Sequence, residues 1–479
     1  MLGIILLSVL GFVLVMLTVI TYYLRTVAKQ YDIDDGPDSH DGHREEDMEK
    51  KKANLSSSQN FVYTAMVLVS IAMVGALYIY VKGTPWEGHL MEWLNIVVRL
   101  LHFTFGIAWI GASFYFVFLE NALNRTHNVR DELAGNLWAI HGGGFYYLEK
   151  YKVAPKTIPK HLHWFKYEAY FTWLSGFCLL FVVYYFNASA LLIDKNVLDI
   201  TPLYGIAIGA GSFIVAWVMY DLLCKSPLIK KPVLFTLVGF AVLVGFAYFY
   251  SHVFSGRAAY IHFGAMIGSI MVANVFFVII PAQKAMVKAA REGVPVNPQL
   301  GKSALSRSIH NNYFTLPVLF VMISNHFPTT FGYENPWLIL VIISLGTAGV
   351  KHYLNLREKG QLSVWVMPVS VVILLAGAFI SAPPKDPAAC NTKIEFSEVN
   401  AIIQSRCVSC HSSKPTDDVY KAPPNGVMYD TPDDIVLKKD LIMQRVVTTK
   451  TMPQNNKTNM TEKERDLIRC WIEQGALVK

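Results

Sequence analysis

Long apolar runs, broken at intervals by short charged stretches, fill most of the chain. A helix needs about 20 apolar residues to cross a bilayer. Ten runs meet that length, at roughly 2–24, 61–81, 92–118, 165–187, 202–223, 233–252, 260–284, 309–327, 337–355 and 363–382. The first begins at Met1 with no basic stretch before it and no small-residue cleavage site after it. It is therefore expected to be a retained anchor rather than a signal peptide. The pattern changes at PPKDPA, residues 383–388, where proline cannot continue a helix and the apolar runs stop. Beyond it, FSEVNAIIQSRC and TEKERDLIRCWIEQGA read as helices, with Thr461 and Glu464 placed as a capping box on the second.

Composition supports the membrane reading. The chain is 53% hydrophobic and only 16% charged, whereas soluble domains carry about a quarter charged residues. Lipid is the expected solvent for the excess. The formal charge of +7 does not point to nucleic acid, because the basic residues are spread among loops between apolar runs. Those loops, 25–60, 121–166, 224–232, 284–308 and 351–360, are far richer in Lys and Arg than the alternate loops. The positive-inside rule places them in the cytoplasm and both termini outside, as expected for a multi-pass protein of a bacterial inner membrane. Residues 25–60 run from acidic to basic and read as a solvated tether, and no specific role is assigned to His40 or His43 there.

The tail carries Cys407, Cys410 and His411 in the spacing C-x-x-C-H, the attachment signature of c-type haem. In that reading Cys407 and Cys410 hold one covalent haem c, and His411 is an axial ligand. Met452, in a loop and followed by proline, is preferred for the second axial position over Met428, Met443 and Met460. Haem attachment occurs outside the cytoplasm, which agrees with the loop charges. Cys390 and Cys470 flank this domain and are expected to form a disulfide. Cys178 and Cys224 lie in or beside membrane runs, where a free thiol behaves as a small hydrophobe. The expected fold class is all-α: a polytopic bundle of about ten helices and then a small class I cytochrome c domain. Its parts are residues 1–85 (two spans and a charged linker), 86–383 (eight spans) and 384–479 (the cytochrome-like domain).

The third span holds Arg99 and His102 inside apolar sequence, where polar groups are expensive. Its Gly106 and Gly111 permit close approach. The loop that follows contains HGGGFYYLEKY and HLHWFKYEAYFTWLSG. With RLLHFTFGIAWIGASFYF, these segments resemble the integral-membrane urate oxidase (urate hydroxylase) family, over about residues 90–380 and with a cytochrome c tail. The first 85 residues lie outside that resemblance.

The resemblance implies oxidation of urate to 5-hydroxyisourate, with water supplying the hydroxyl oxygen. Electrons would leave through the cytochrome to a respiratory cytochrome or terminal oxidase. A flat anion wants aromatic stacking, backbone donors and a cation. Gly142, Gly143, Gly144, Phe145, Lys150 and Lys166 are the substrate-binding candidates, and His141, His163 and Glu168 the candidate bases. The loop and the tail would face opposite sides of about 30 Å of hydrocarbon. An internal haem b, held by two of His102, His252, His262 and His326, is the candidate stepping stone. The competing reading is an anchored electron-transfer cytochrome relaying electrons from quinol or a partner dehydrogenase.

Overall fold

The computed structural model describes residues 79–80, 84–159, 162–382 and 390–478. The spans expected at 2–24 and 61–81, save Ile79 and Tyr80, and the 25–60 linker lie outside the described residues. The described part is mostly helical. Two compact units emerge: one holds the residues up to 105 together with 159–182, the other 106–158 together with 183–479.

From residue 85 the expected spans become helices: α1 (Pro85–Ala122), α2 (Tyr167–Leu179), α3 (Pro202–Lys225), α4 (Pro232–Ser251), α5 (Gly256–Ala273), α6 (Ile280–Arg291), α7 (Pro298–Ile323), α8 (Pro336–Glu358) and α9 (Val366–Ile380). Helix α2 runs on through wider π-type turns to Tyr185, and Asn274–Ile279 joins α5 to α6 in the same way. Proline opens several helices, where its missing N–H would have had no partner anyway. Thr201 and Ser255 cap α3 and α5 by accepting from Tyr204 N and Ala258 N. Among the described residues six helices are long and apolar enough to cross a membrane. Helix α7 is too polar for that set and α9, at 15 residues, too short.

The loop expected at 121–166 contains a β-hairpin. Strands β1 (Leu133–His141) and β2 (Gly144–Tyr151) pair antiparallel, with His141 opposite Gly144 and Trp138 opposite Tyr147. Gly142 (φ +57) and Gly143 (φ +80) form the two-residue turn, which needs positive φ at both positions. The hairpin is tied to the end of α1 by the Asn124–Asn136 bridge and the Lys150–Glu120 ion pair.

The C-terminal domain is built from α10 (Phe396–Arg406), α11 (Pro432–Leu437) and α12 (Glu462–Glu473) around Ile403, Ile435, Met460, Ile468 and Trp471. The Thr461–Glu464 capping box is present as expected, and Thr431–Asp434 makes a second one on α11. The disulfide between Cys390 and Cys470 is formed, across 80 residues of chain. This domain touches the helical bundle through polar groups. Asn455 Nδ2 donates to the carbonyls of Ala190 (2.8 Å) and Ile193 (2.7 Å), and Gln454 Nε2 to Ala190 O (2.8 Å).

Candidate functional site: a polar belt on α7

Helix α7 begins as PQLGKSALSRSIHNNYFTLP and buries polar side chains on more than one face. Arg307, Asn311, Asn312 and Thr315 are all buried. Buried polar groups are costly unless hydrogen-bonded, so their partners matter. On one side Arg307 donates to Asp221 Oδ1 of α3 (2.6 Å) and to Asn274 Oδ1 (3.2 Å). Its guanidinium also lies over the rings of Tyr220 and Trp217. Asn274 donates in turn to Asn311 Oδ1 (2.8 Å) and Tyr220 Oη (3.1 Å), and Asn311 to Met271 O (3.0 Å). Tyr220 Oη lies 2.7 Å from His310 Nδ1, whose ring stacks on Phe235.

On the other side Asn312 Nδ2 donates to Asn355 Oδ1 of α8 (3.0 Å), leaving Asn312 Oδ1 buried without a hydrogen-bond partner. One turn before Asn355 stands Lys351, only 2% exposed. Its ammonium sits 3.9 Å from the centre of the Phe114 ring, with no carboxylate within ion-pair reach among the described residues. A buried ammonium is costly unless paired, and a cation–π contact offsets only part of that. Asp221 balances Arg307 and also pairs with the largely exposed Lys225 (2.6 Å), while Glu358 acts on the Lys351 ammonium from beyond ion-pair distance.

The residues singled out from sequence fall into separate groups. His141, Gly142, Gly143, Gly144, Phe145 and Lys150 all sit on the hairpin. His141 and Phe145 are exposed, and added β-carbons at Gly142 and Gly143 would meet nothing. The first two glycines thus serve the turn's backbone. Lys150 is taken by Glu120. His163, Lys166 and Glu168 belong to the other unit, at the start of α2. The exposed His163 packs against Phe165, Lys166 lies over the Tyr167 ring, and Glu168 keeps one buried carboxylate oxygen, Oε2, without a hydrogen bond. Arg99 Nη2 donates to Asn95 Oδ1, one turn earlier on α1.

The haem expectations are corrected, for haem c and haem b alike. Among the described residues no group of three or more His, Cys, Asp and Glu side chains could hold a metal. The proposed internal ligands are each engaged locally. His102 Nδ1 meets Thr172 O (3.0 Å), His252 Nδ1 meets Tyr248 O (2.8 Å), and His262 is enclosed by Ala258 O, Tyr185 Oη and Phe254. His326 is exposed beyond the end of α7. In the tail burial pushes the Cys407 thiol up to about 12. His411 Nδ1 meets Val427 O, and Met452 packs against the domain's apolar core.

Fold and belt together define a mostly helical protein with, among the described residues, six helices apolar enough to cross a membrane and a buried polar network on α7. The family is given by a match over residues 88–382 to the model described as Urate oxidase N-terminal, and the chain belongs to that family. The urate oxidase family is typically cofactor-independent, which overturns the haem expectation. No curated protein and no solved structure matches the chain.

Proposed function

We propose that this protein oxidises urate to 5-hydroxyisourate within a bacterial inner membrane and binds its substrate at the polar belt of α7. The supporting observation is Lys351, a buried cation with no carboxylate in ion-pair reach among the described residues, one turn before Asn355, which accepts from Asn312, whose own Oδ1 is buried without a partner. Urate is a flat anion with ring N–H donors and carbonyl acceptors. Its charge would satisfy the ammonium, a ring N–H would satisfy Asn312 Oδ1, and Phe114 offers an aromatic face. The reaction joins urate and water and releases two electrons and two protons. His310 on α7, paired with Tyr220, is the candidate to accept a proton. Electrons then leave to an acceptor of the respiratory chain.

Binding of carbon-14 urate and its turnover with ferricyanide test this reading. Lys351→Met and Asn312→Leu should each weaken binding by about tenfold to a hundredfold, the loss of one charge-assisted or buried hydrogen bond. Lys225→Met, which removes an exposed cation, should change it little. Wild-type affinity in Lys351→Met, or no urate oxidation by the unaltered protein, would sink the proposal.

A further inference from the structure

A cavity of about 1380 Å³ opens between α3, α4, α5, α7, α8 and α9. Its larger polar side chains lie on α3, α7 and α8. Tyr220 with His310, and Tyr313 with His352, form two hydroxyl–imidazole pairs, each at 2.7 Å, and Lys302 stands nearby on α7. The rest is an apolar shaft lined by residues such as Phe240, Phe246, Phe263, Ile267 and Val341. Along α4 the lining runs from Pro232 to Phe246, about 21 Å at 1.5 Å per residue. The shaft lies among helices apolar enough to sit in lipid. A ligand with a small polar head and a long apolar tail fits this shape. Its head would meet donors and acceptors rather than a cluster of cations.

We infer that the cavity binds a lipid-soluble quinone, and that this quinone accepts the electrons of urate oxidation. The inference rests on the urate reading above and adds the oxidant. The atoms balance: urate and water give 5-hydroxyisourate, two protons and two electrons, and the quinone takes up both to become a quinol. His310 is placed to pass a proton between the two halves, because it faces the cavity while its neighbours Arg307 and Asn311 face the belt. The tyrosine–imidazole pairs would donate to the quinone oxygens, which become more basic as electrons arrive.

Decylubiquinone is the probe, with the full chain in quinone-free nanodiscs under anaerobic conditions. Urate should drive formation of one decylubiquinol per urate consumed. Gly239 lines the shaft, and a β-carbon there would meet only Leu223, at 3.8 Å. Gly239→Ala should behave as wild type, while Gly239→Phe should obstruct the shaft and lower decylubiquinone affinity at least tenfold. Urate binding and ferricyanide-linked turnover should survive in both, which also shows that both variants fold. Turnover with ferricyanide or dioxygen but none with decylubiquinone would overturn the quinone inference and leave the urate reading standing. Decylubiquinone binding that Gly239→Phe leaves unchanged, or a shaft that takes up only phospholipid, would also overturn it. Quinone binding that is sensitive to Gly239→Phe, with no urate oxidation by any acceptor, would remove the urate reading and with it the electron transfer.

Discussion

Asp221→Asn should destabilise the bundle more than Arg307→Met, and combining the two should recover much of the loss. Arg307 is buried, and Asp221 is its one carboxylate partner among the described residues, at 2.6 Å. Removing that charge leaves a guanidinium compensated by Asn274 and the rings of Trp217 and Tyr220. Stranding one partner of a buried pair costs about 3–5 kcal/mol, and the acceptor kept by Asn places the expectation near the lower end. Asp221 has a second partner, Lys225, also at 2.6 Å and largely exposed. Arg307→Met therefore leaves the carboxylate paired, though an exposed pair of that kind contributes only up to about 1 kcal/mol. The expected cost is about 2 kcal/mol, part of it the lost packing of the long side chain. The double variant removes both members of the pair, and replacing a buried pair by neutral groups is often close to neutral. With the lost packing left in the double variant, a coupling energy of about 3 kcal/mol should follow. Reversible unfolding in mixed micelles, titrated with dodecyl sulfate and followed by tryptophan fluorescence, gives the three differences. Losses that add within about 0.5 kcal/mol, or an Arg307→Met variant weaker than Asp221→Asn, would refute the account.

Two further predictions concern the C-terminal domain. Burial opposes ionisation of Asp417, but Lys457 at 2.7 Å and the N–H groups of Val419 and Tyr420 more than offset it and hold the carboxyl at about 2. Because the folded value is depressed, its contribution of about 2 kcal/mol is full above the ordinary carboxylate value of 3.8 and fades as pH falls toward 2. Trp471 lies in this domain's core, and hydrogen exchange of its peptides between pH 4.5 and 2 should show this loss in the wild type and a flatter profile in Asp417→Asn; identical profiles would refute it. Asn455→Gly keeps the positive φ of 51° but removes two hydrogen bonds to the bundle, worth about 2 kcal/mol together. Exchange of the amides at 187–193 should rise about thirtyfold if docking protects them, and unchanged protection would show that it does not.

The spans were legible because apolar periodicity and opening prolines are local signals, as at Pro202, Pro232 and Pro336. The Thr461–Glu464 box and the Cys390–Cys470 bridge were legible for the same kind of reason, a short motif and a simple pairing of flanking cysteines. The hairpin was missed although its signal was present. Trp138 and Ile140 alternate before the turn, Phe145 and Tyr147 after it, and two glycines separate His141 from Gly144. Reading the glycines as a ligand loop hid that period of two. The polar belt was missed for a different reason. Of the run SRSIHNN only Ser306, Arg307 and Ser308 fall before the span expected at 309–327, so Arg307 read as loop, whereas α7 begins at Pro298; Asn311 and Asn312 lay inside the span and drew no role. Its partners Asp221, Asn274, Lys351 and Asn355 are scattered along the chain, and only packing brings them together. The C-x-x-C-H spacing carried an expectation that the surrounding side chains do not support, since spacing fixes neighbours in sequence and not a converging ligand set.

The Cys390–Cys470 bridge has a mechanical consequence. Tension applied to the C-terminal domain from the membrane side enters at Cys390 and passes straight through the sulfurs to Cys470. The 79 residues between them, which include α10, α11 and the start of α12, lie outside that load path. Covalently the residues from Cys390 to Cys470 form a closed loop, while the hydrogen bonds of Gln454 and Asn455 to the bundle lie within that loop. A cut within the loop leaves both pieces attached, whereas reduction of the bridge puts every segment of the domain under load.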